Sequence, residues 1–526
     1  MDGAEVGAAS PLAAPAEVDG VPRRWLKVID QTRCIGCHAC TTACKSENEV
    51  PLSVTRTYVK HVDVGTFPQA RRAFQVTRCN QCEDAPCVAA CPTSAMFVRP
   101  DGIVDFDKQA CIGCKACMAA CPYDAIFINP EDHSAEKCNL CAHRLDIGLE
   151  PACVTVCPTQ AILVGYLEDP GSPVAQIVGR EPVAVRRPEK GTRPKLFYRG
   201  ATQATLDPLA ARRPEGGTFM WSEIPTGAQR VTSGHPGGGN SSAAALLSYD
   251  IGHTAPWDWR VSLYTWTKGV AAGVYLVAVL LALTGSVSWT GGLVVWAGPL
   301  LAAVFLAATA GLLVWDLEHP GRFWFILTRP QWRSWLVRGG VILTGYAGLL
   351  GLHLLAGVLG STGLRQAVAV PGVPVAAMAA VYTAYLLAQA KARDLWQNPL
   401  LPAHLLVQAV LAGAAALLPV AVWVQRDAVD PLGWMLAGAC LTHLLLVAGE
   451  VTLPHPTAHA RLAAHELTAG RFRWFFRAAA LLTAAGLAAP LAGAWVVALA
   501  LAPLALAGLA AYEHAYVQAG QSVPLA

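Results

Sequence analysis

From about residue 251 to the end of the chain, apolar residues run in long stretches separated by short segments that hold most of the charge. A helix needs about 20 predominantly apolar residues to cross the hydrocarbon core of a bilayer. Eight windows approach that length, at 261–285, 291–314, 336–360, 370–389, 402–424, 432–452, 474–490 and 492–512, and they predict eight transmembrane helices. The last two are the least cleanly divided. Trp257, Trp259, Trp289, Trp315, Trp335 and Trp434 fall near window ends, where amphipathic rings anchor at the membrane interface. Ahead of this half the pattern changes. Residues 1–25 read as a flexible N-terminus, and 26–165 alternate short apolar segments with cysteine-rich turns. Residues 166–250 are rich in Pro, Gly and Arg and keep neither a helix nor a strand period, which predicts an extended linker. Phe197, Tyr198, Phe219, Met220 and Trp221 mark the parts of that linker expected to pack.

Composition sharpens the division. Charged residues are 14% of the chain and hydrophobic residues 54%, so a large part faces lipid. The net charge is only +3 with no long Lys/Arg block, which excludes a nucleic-acid surface. Sixteen of the 17 cysteines lie between Cys34 and Cys157. The first 33 residues hold no apolar run, and Arg23-Arg24 lacks the hydrophobic stretch that follows a twin-arginine signal, so no cleavable export signal is expected. Cysteines without export point to thiolate metal ligands rather than disulfides.

The spacing names the metal group. Cys34, Cys37, Cys40 and Cys44 form C-x2-C-x2-C-x3-C, and Cys111, Cys114, Cys117 and Cys121 repeat it. Cys79, Cys82, Cys87 and Cys91 widen the middle gap to four residues; Cys138, Cys141, Cys153 and Cys157 widen it to eleven. All four quartets end in C-x3-C, and Pro92, Pro122 and Pro158 follow three of them. A [4Fe–4S] cube needs four thiolates; a tight loop wraps three around one cube while the fourth points elsewhere. Gly36, Ala39, Gly113 and Ala116 are small enough to let the backbone approach the cube and donate N–H groups to sulfur. Zinc also takes C-x2-C pairs, but zinc knuckles do not account for four C-x3-C endings with three following prolines. Cys440, alone in LAGACLTHLLL, carries no assigned role.

Over residues 26–165 these quartets resemble the four-cluster subunits of molybdopterin oxidoreductases of the dimethyl sulfoxide and polysulfide reductase type. The resemblance implies an α+β, ferredoxin-like fold of two paired dicluster modules. It also implies that motifs pair first with fourth and second with third. The cube ligands would then be Cys34, Cys37, Cys40 with Cys157; Cys138, Cys141, Cys153 with Cys44; Cys79, Cys82, Cys87 with Cys121; and Cys111, Cys114, Cys117 with Cys91. Four [4Fe–4S] clusters and a catalytic molybdopterin subunit as partner follow from the same likeness.

Residues 251–526, with WDWRVSLYTWTKGVAAG and DLEHPGRFWFILTRPQWRSWLVRGG, resemble the all-α, eight-helix NrfD-like anchors of polysulfide reductase. That likeness implies electron exchange with membrane quinone. With eight spans, the even loops share a side with the N-terminal domain. They hold Arg322, Arg329, Arg333, Arg338, Lys391, Arg393, Arg461, Arg471 and Arg473, against Arg365 and Arg426 opposite. The positive-inside rule then places the chain in the inner membrane with its cluster domain facing the cytoplasm. Ionisable residues in or beside spans are functional candidates. His253, Tyr264, Lys268, His319 and Arg322 are the expected quinone contacts, and Asp316 and Glu450 the proton carriers. His353, His404 and His443 lie deeper, and nothing in their spacing calls for haem. The leading expectation is an electron-transfer and anchor subunit with no substrate chemistry of its own beyond quinone. The alternative is a redox-driven proton or sodium pump using Asp316, Glu450, Glu513 and the buried histidines.

Overall fold

Trp25–Asp30 (WLKVID) is a strand with all six residues buried, as branched and aromatic side chains covered on both faces favour. In the computed structural model, which describes residues 17–18, 21–22, 24–65, 68–212 and 245–526, it is central to a four-stranded sheet. Ile162–Tyr166 pairs antiparallel to it, with Ile162 opposite Ile29 and Tyr166 opposite Trp25. Leu196–Arg199 pairs with it in parallel on the other side, and Val183–Ala184 completes the order. A second sheet joins Ala245–Tyr249, Thr57–Val64 and Arg71–Arg78, all antiparallel.

Between these sheets in sequence lie two short hairpins, Met96–Val98 with Val104–Phe106 and Ile126–Ile128 with Ala135–Lys137. Each follows a one-turn helix, Pro86–Ala90 or Ala116–Ala120, that leads into the last cysteine of a quartet. The two standard quartets share a backbone: Gly36 and Gly113 have φ of 71° and 70°, and His38 and Lys115 have φ of 59° and 60°. A side chain on Gly36 would meet the Phe74 ring at 2.3 Å, so both conformation and space call for glycine there.

The chain separates into two compact units, Met1–Pro256 with Pro524–Ala526, and Trp257–Val523. The expected extended linker differs from what is found over 166–212. That stretch contains the helix Pro173–Arg180 and two sheet strands, with Leu196 and Tyr198 buried. Four residues between Pro-rich segments are too short for a visible period, and burial comes from the neighbouring strand rather than from local pattern. Phe219, Met220 and Trp221, and most of the expected N-terminal segment, lie outside the described residues.

The second unit contains eight helices long and apolar enough to cross a membrane: Trp259–Leu283, Leu293–Trp315, Trp335–Val358, Thr362–Ala388, Leu401–Val424, Arg426–Thr452, Arg473–Leu491 and Ala494–Gln521. The fourth begins eight residues before the predicted start at 370 (370 − 362), because the helix runs through Pro371 and Pro374 instead of starting there. Ser361 caps it by accepting from the Leu364 N–H at 3.3 Å. The eighth extends past 512 to Gln521, where Arg393 donates to the carbonyls of Gln521 and Val523. Ala458–Thr468, a further helix, is too polar to span.

Spans one and five are the most enclosed, with 83% and 67% of their apolar windows buried. Two apolar cores meet on them, one shared with spans two, six, seven and eight and the other with spans two, three and four. The contact is backbone to backbone. A Cβ on Gly273 would lie 1.7 Å from the Ala409 carbonyl oxygen, and one on Gly413 would lie 2.1 Å from the Gly273 carbonyl carbon. Small residues permit such an approach, which maximises dispersion contact where lipid offers no hydrophobic drive. Large apolar side chains such as Val370, Trp423 and Leu481 point outward, as a multi-pass bundle in lipid requires. Gly273→Leu should therefore abolish the bundle's folded core, beyond the about 1–3 kcal/mol of ordinary overpacking. Gly311→Leu, with nothing within 4 Å of its added carbon, should be tolerated. Thermal aggregation of the two purified variants in detergent checks both.

Candidate functional site

The fold brings the cysteines together across motifs rather than within them. Burial and three other thiolates, those of Cys40, Cys157 and Cys37, push the Cys34 thiol up to about 11. Burial together with Cys138, Cys153 and Cys141 raises Cys44 to about 12. Cys82 is raised to about 12 by burial, by Cys79 and by Cys121. Cys117 is held well above its ordinary value by burial, by Cys114, Cys111 and Cys91, and to a smaller extent by Cys87 of the neighbouring group. Each group of four thus combines three cysteines of one motif with the last cysteine of another.

These groups cannot all ionise in an apolar interior unless positive charge compensates them. Iron at the centre of each quartet would supply it. Among the described residues no three His, Cys, Asp or Glu converge closely enough to hold a single metal ion. Cys91, Cys111, Cys114 and Cys117 line one cavity, of about 20 Å³, closed by Pro92, Met96 and Ile112.

The shell around the sulfurs fits the same group. Backbone N–H groups donate to sulfur from Gln81 to Cys79 (3.5 Å), Met96 to Cys91 (3.4 Å), Ala135 to Cys111 (3.4 Å) and Ala161 to Cys157 (3.2 Å). The Asn48 amide reaches both Cys44 (3.7 Å) and Cys141 (3.6 Å). Two buried cations face one thiol: Arg78 Nη1 lies 3.0 Å and Lys27 Nζ 3.5 Å from Cys153 Sγ. Burial works to raise Cys153, but Lys27 and Arg78 outweigh it and bring the thiol down to about 7. Arg78 Nε and Nη2 are buried without a protein hydrogen-bond partner, which suits an arginine facing a sulfur-rich anion.

Cysteine spacing alone does not reveal Lys27, Arg78 or Asn48. Lys27 had one signal, a lone charge inside the otherwise apolar run WLKV. Arg78 had another, its position immediately before Cys79.

The residues expected to contact quinone are dispersed. His253 belongs to the first unit, buried between Asp124 (2.6 Å) and Asp250 (3.2 Å). Burial opposes its charge, but the two carboxylates more than offset that and raise it to about 9, so it is a structural cation at neutral pH. In the second unit, Tyr264 and Lys268 are buried on span one. Lys268 does not reach the interface: its amine donates to the Ala380 carbonyl at 2.6 Å and to Thr383 at 2.7 Å, tying spans one and four. His319 and Arg322 lie in the turn after span two, and Asp316 lies 3.9 Å from Arg260. Glu513 accepts from Thr265 at 2.7 Å. His353 contacts the Val294 carbonyl at 3.1 Å and Tyr275 at 3.3 Å. Glu450 lies elsewhere, on a cavity of about 400 Å³ between spans five and six.

Comparison with known proteins agrees with this division. Models of 4Fe-4S dicluster domains match residues 26–93 and 71–167, and the model described as polysulphide reductase, NrfD, matches 250–523. A tetrathionate reductase subunit from Salmonella typhimurium is 41% identical over 220 residues, 40% of this chain and 85% of the relative. A polysulfide reductase chain from Wolinella succinogenes is 43% identical over 178 residues, covering 33% and 93%. The arsenate respiratory reductase iron-sulfur subunit of a Shewanella species is 35% identical over 219 residues, covering 32% and 94%.

A cation beside a cluster favours the reduced, more negative form. Arg78→Leu should therefore lower the midpoint potential of one cluster, by on the order of 100 mV for a charge a few ångströms away. An EPR-monitored redox titration measures this, and the other clusters should move much less.

Proposed function

The protein belongs to the polysulphide reductase NrfD family and carries 4Fe-4S dicluster domains on the same polypeptide, and from that premise we propose that it is the electron-transfer and membrane-anchor subunit of a quinone-linked oxidoreductase. In this reading a catalytic partner with a molybdopterin cofactor handles the substrate, and this chain moves electrons between it and the quinone pool. Iron–sulfur cubes supply one-electron transfer with little change of geometry.

The observation that carries the reading is the crossing of the motifs. Because the last cysteine of each quartet serves a different group, Cys44 and Cys157 tie one pair of centres and Cys91 and Cys121 the other. Neighbouring centres are thereby held a few residues of chain apart, as stepwise one-electron transfer needs. Lys27 and Arg78 tune one of them electrostatically, while the backbone N–H donors tune the rest. The relatives' names span tetrathionate, polysulfide and arsenate, so what they share is the relay and not the substrate.

We place the cluster domain on the cytoplasmic side of the inner membrane. The turns after spans two, four and six carry Arg322, Arg329, Arg333, Lys391, Arg461 and Arg471, while Arg365 at the opposite end is buried and bonded to Thr362 at 3.0 Å. Anaerobically purified protein should contain about sixteen irons per chain, and a reduced quinol analogue should elicit cluster EPR signals. A lower iron content, or clusters reduced by dithionite but not by quinol, would remove the quinone link.

A further inference from the structure

The cavity between spans five and six has the composition of a redox-ring site, and it does not coincide with the residues around Lys268. It holds about 400 Å³, within the range of small-molecule sites. One side is apolar and open outward: Leu400, Leu445 and Leu453 line it and are 56%, 64% and 66% exposed in a face that meets lipid. The other side is polar. His404, Glu450 and His455 face the cavity, and among the described residues lining it there is no Lys or Arg. A phosphate headgroup would find carboxylates there and no cation, whereas an uncharged ring with two oxygens finds donors and acceptors.

The polar wall is organised for proton exchange. Glu450 accepts from Asn398 at 3.1 Å and from the Tyr512 hydroxyl at 2.7 Å, which fixes its carboxylate at the cavity edge. His404 is buried and lies nitrogen to nitrogen with His443 at 2.9 Å, so the two imidazoles share a proton. Tyr512 packs its ring against both, at 5.5 and 4.9 Å between centroids. One buried atom of this wall is left over: His455 Nε2 has no hydrogen-bond partner. An unpartnered buried imidazole nitrogen on a cavity wall suits a ligand oxygen.

We propose that this cavity binds the ring of a membrane quinone or quinol, entering from lipid past Leu445 and Leu453, with His404 and Glu450 exchanging its two protons. This rests on the quinone-linked reading above and gives that reading a site. In the oxidative direction two O–H bonds break. The two electrons pass one at a time to the iron–sulfur clusters, one proton goes to the His404–His443 pair, and one goes to the Glu450 carboxylate. The reductive direction reverses each transfer.

The test uses the full chain in detergent and a hydroxyquinoline N-oxide, a fluorescent quinol analogue whose emission is quenched on binding. His404→Ala and Glu450→Gln should each weaken binding about tenfold or more, the effect of leaving a buried polar partner unmatched. Leu445→Trp, which alters no polar group and fills the mouth, should do the same, and it keeps the test decisive if a histidine variant does not assemble. Gly311→Leu, whose added carbon meets nothing within 4 Å and which does not line the cavity, should leave binding within about twofold, and dithionite-reduced cluster EPR reports that each variant keeps its clusters. If wild-type clusters are reduced by quinol and the analogue binds, but the three cavity variants bind as wild type does, the site assignment is overturned while the quinone link stands. If the wild-type protein neither binds the analogue nor has quinol-reducible clusters, the link and the site fall together.

Discussion

Four thiolates crowded into a protein interior repel one another, and much of the first unit is arranged to make that repulsion tolerable. Leaving one charge buried and unpaired costs several kcal/mol, so the sixteen cysteine sulfurs of the four quartets need compensation. The structure supplies it in two ways. Backbone N–H groups of Gln81, Met96, Ala135 and Ala161 point at sulfur, those of Met96 and Ala135 from the first residues of hairpin strands. Left-handed residues at positions 36, 38, 113 and 115 shape the loops of the two standard quartets. In addition, Lys27 and Arg78 bring whole charges from two different strands to Cys153. The strand carrying Lys27 is buried on both faces, and the metal group accounts for a lysine in its middle.

The bundle meets a related constraint with different means. Polar groups enclosed by lipid-facing helices must find partners within the protein. Lys268 is satisfied by a carbonyl and a hydroxyl of span four, Glu513 by Thr265, and His353 by a span-two carbonyl. These contacts join helices as well as satisfying charge, and with the glycine contact at 273 and 413 they make spans one and five the axis of the unit. The cavity between spans five and six has one buried nitrogen on its polar wall, His455 Nε2, that the protein leaves without a hydrogen-bond partner.

Much of this architecture was legible in the residues. Cysteine spacing is dictated by the cube and survives without any knowledge of the fold, and twenty-residue apolar runs are dictated by bilayer thickness. Errors arose where a long-range partner overrides local signal. The apolar window at 370–389 starts late because it leaves out the turns before Pro371 and Pro374, and the span runs through both prolines from Thr362. Leu196–Arg199 lacked a period because its burial is provided by Trp25–Asp30. His253 looked like a membrane-edge donor, but its partners Asp124 and Asp250 hold it in the first unit. The cavity was least visible, since His404, Glu450 and His455 come from separate helices and turns, and only packing leaves the space among them.

The central claim is that each centre is built from two motifs, so the most direct measurement is a comparison of Cys37→Ser, Cys157→Ser and the double variant by iron analysis and EPR. These cysteines are 120 residues apart in sequence (157 − 37) and belong to the first and last motifs. The account predicts that each single substitution perturbs the same one cluster and that the double variant perturbs no second one. Loss of two different clusters in the double variant would mean that each motif closes its own cube, contradicting the crossed arrangement on which the relay depends.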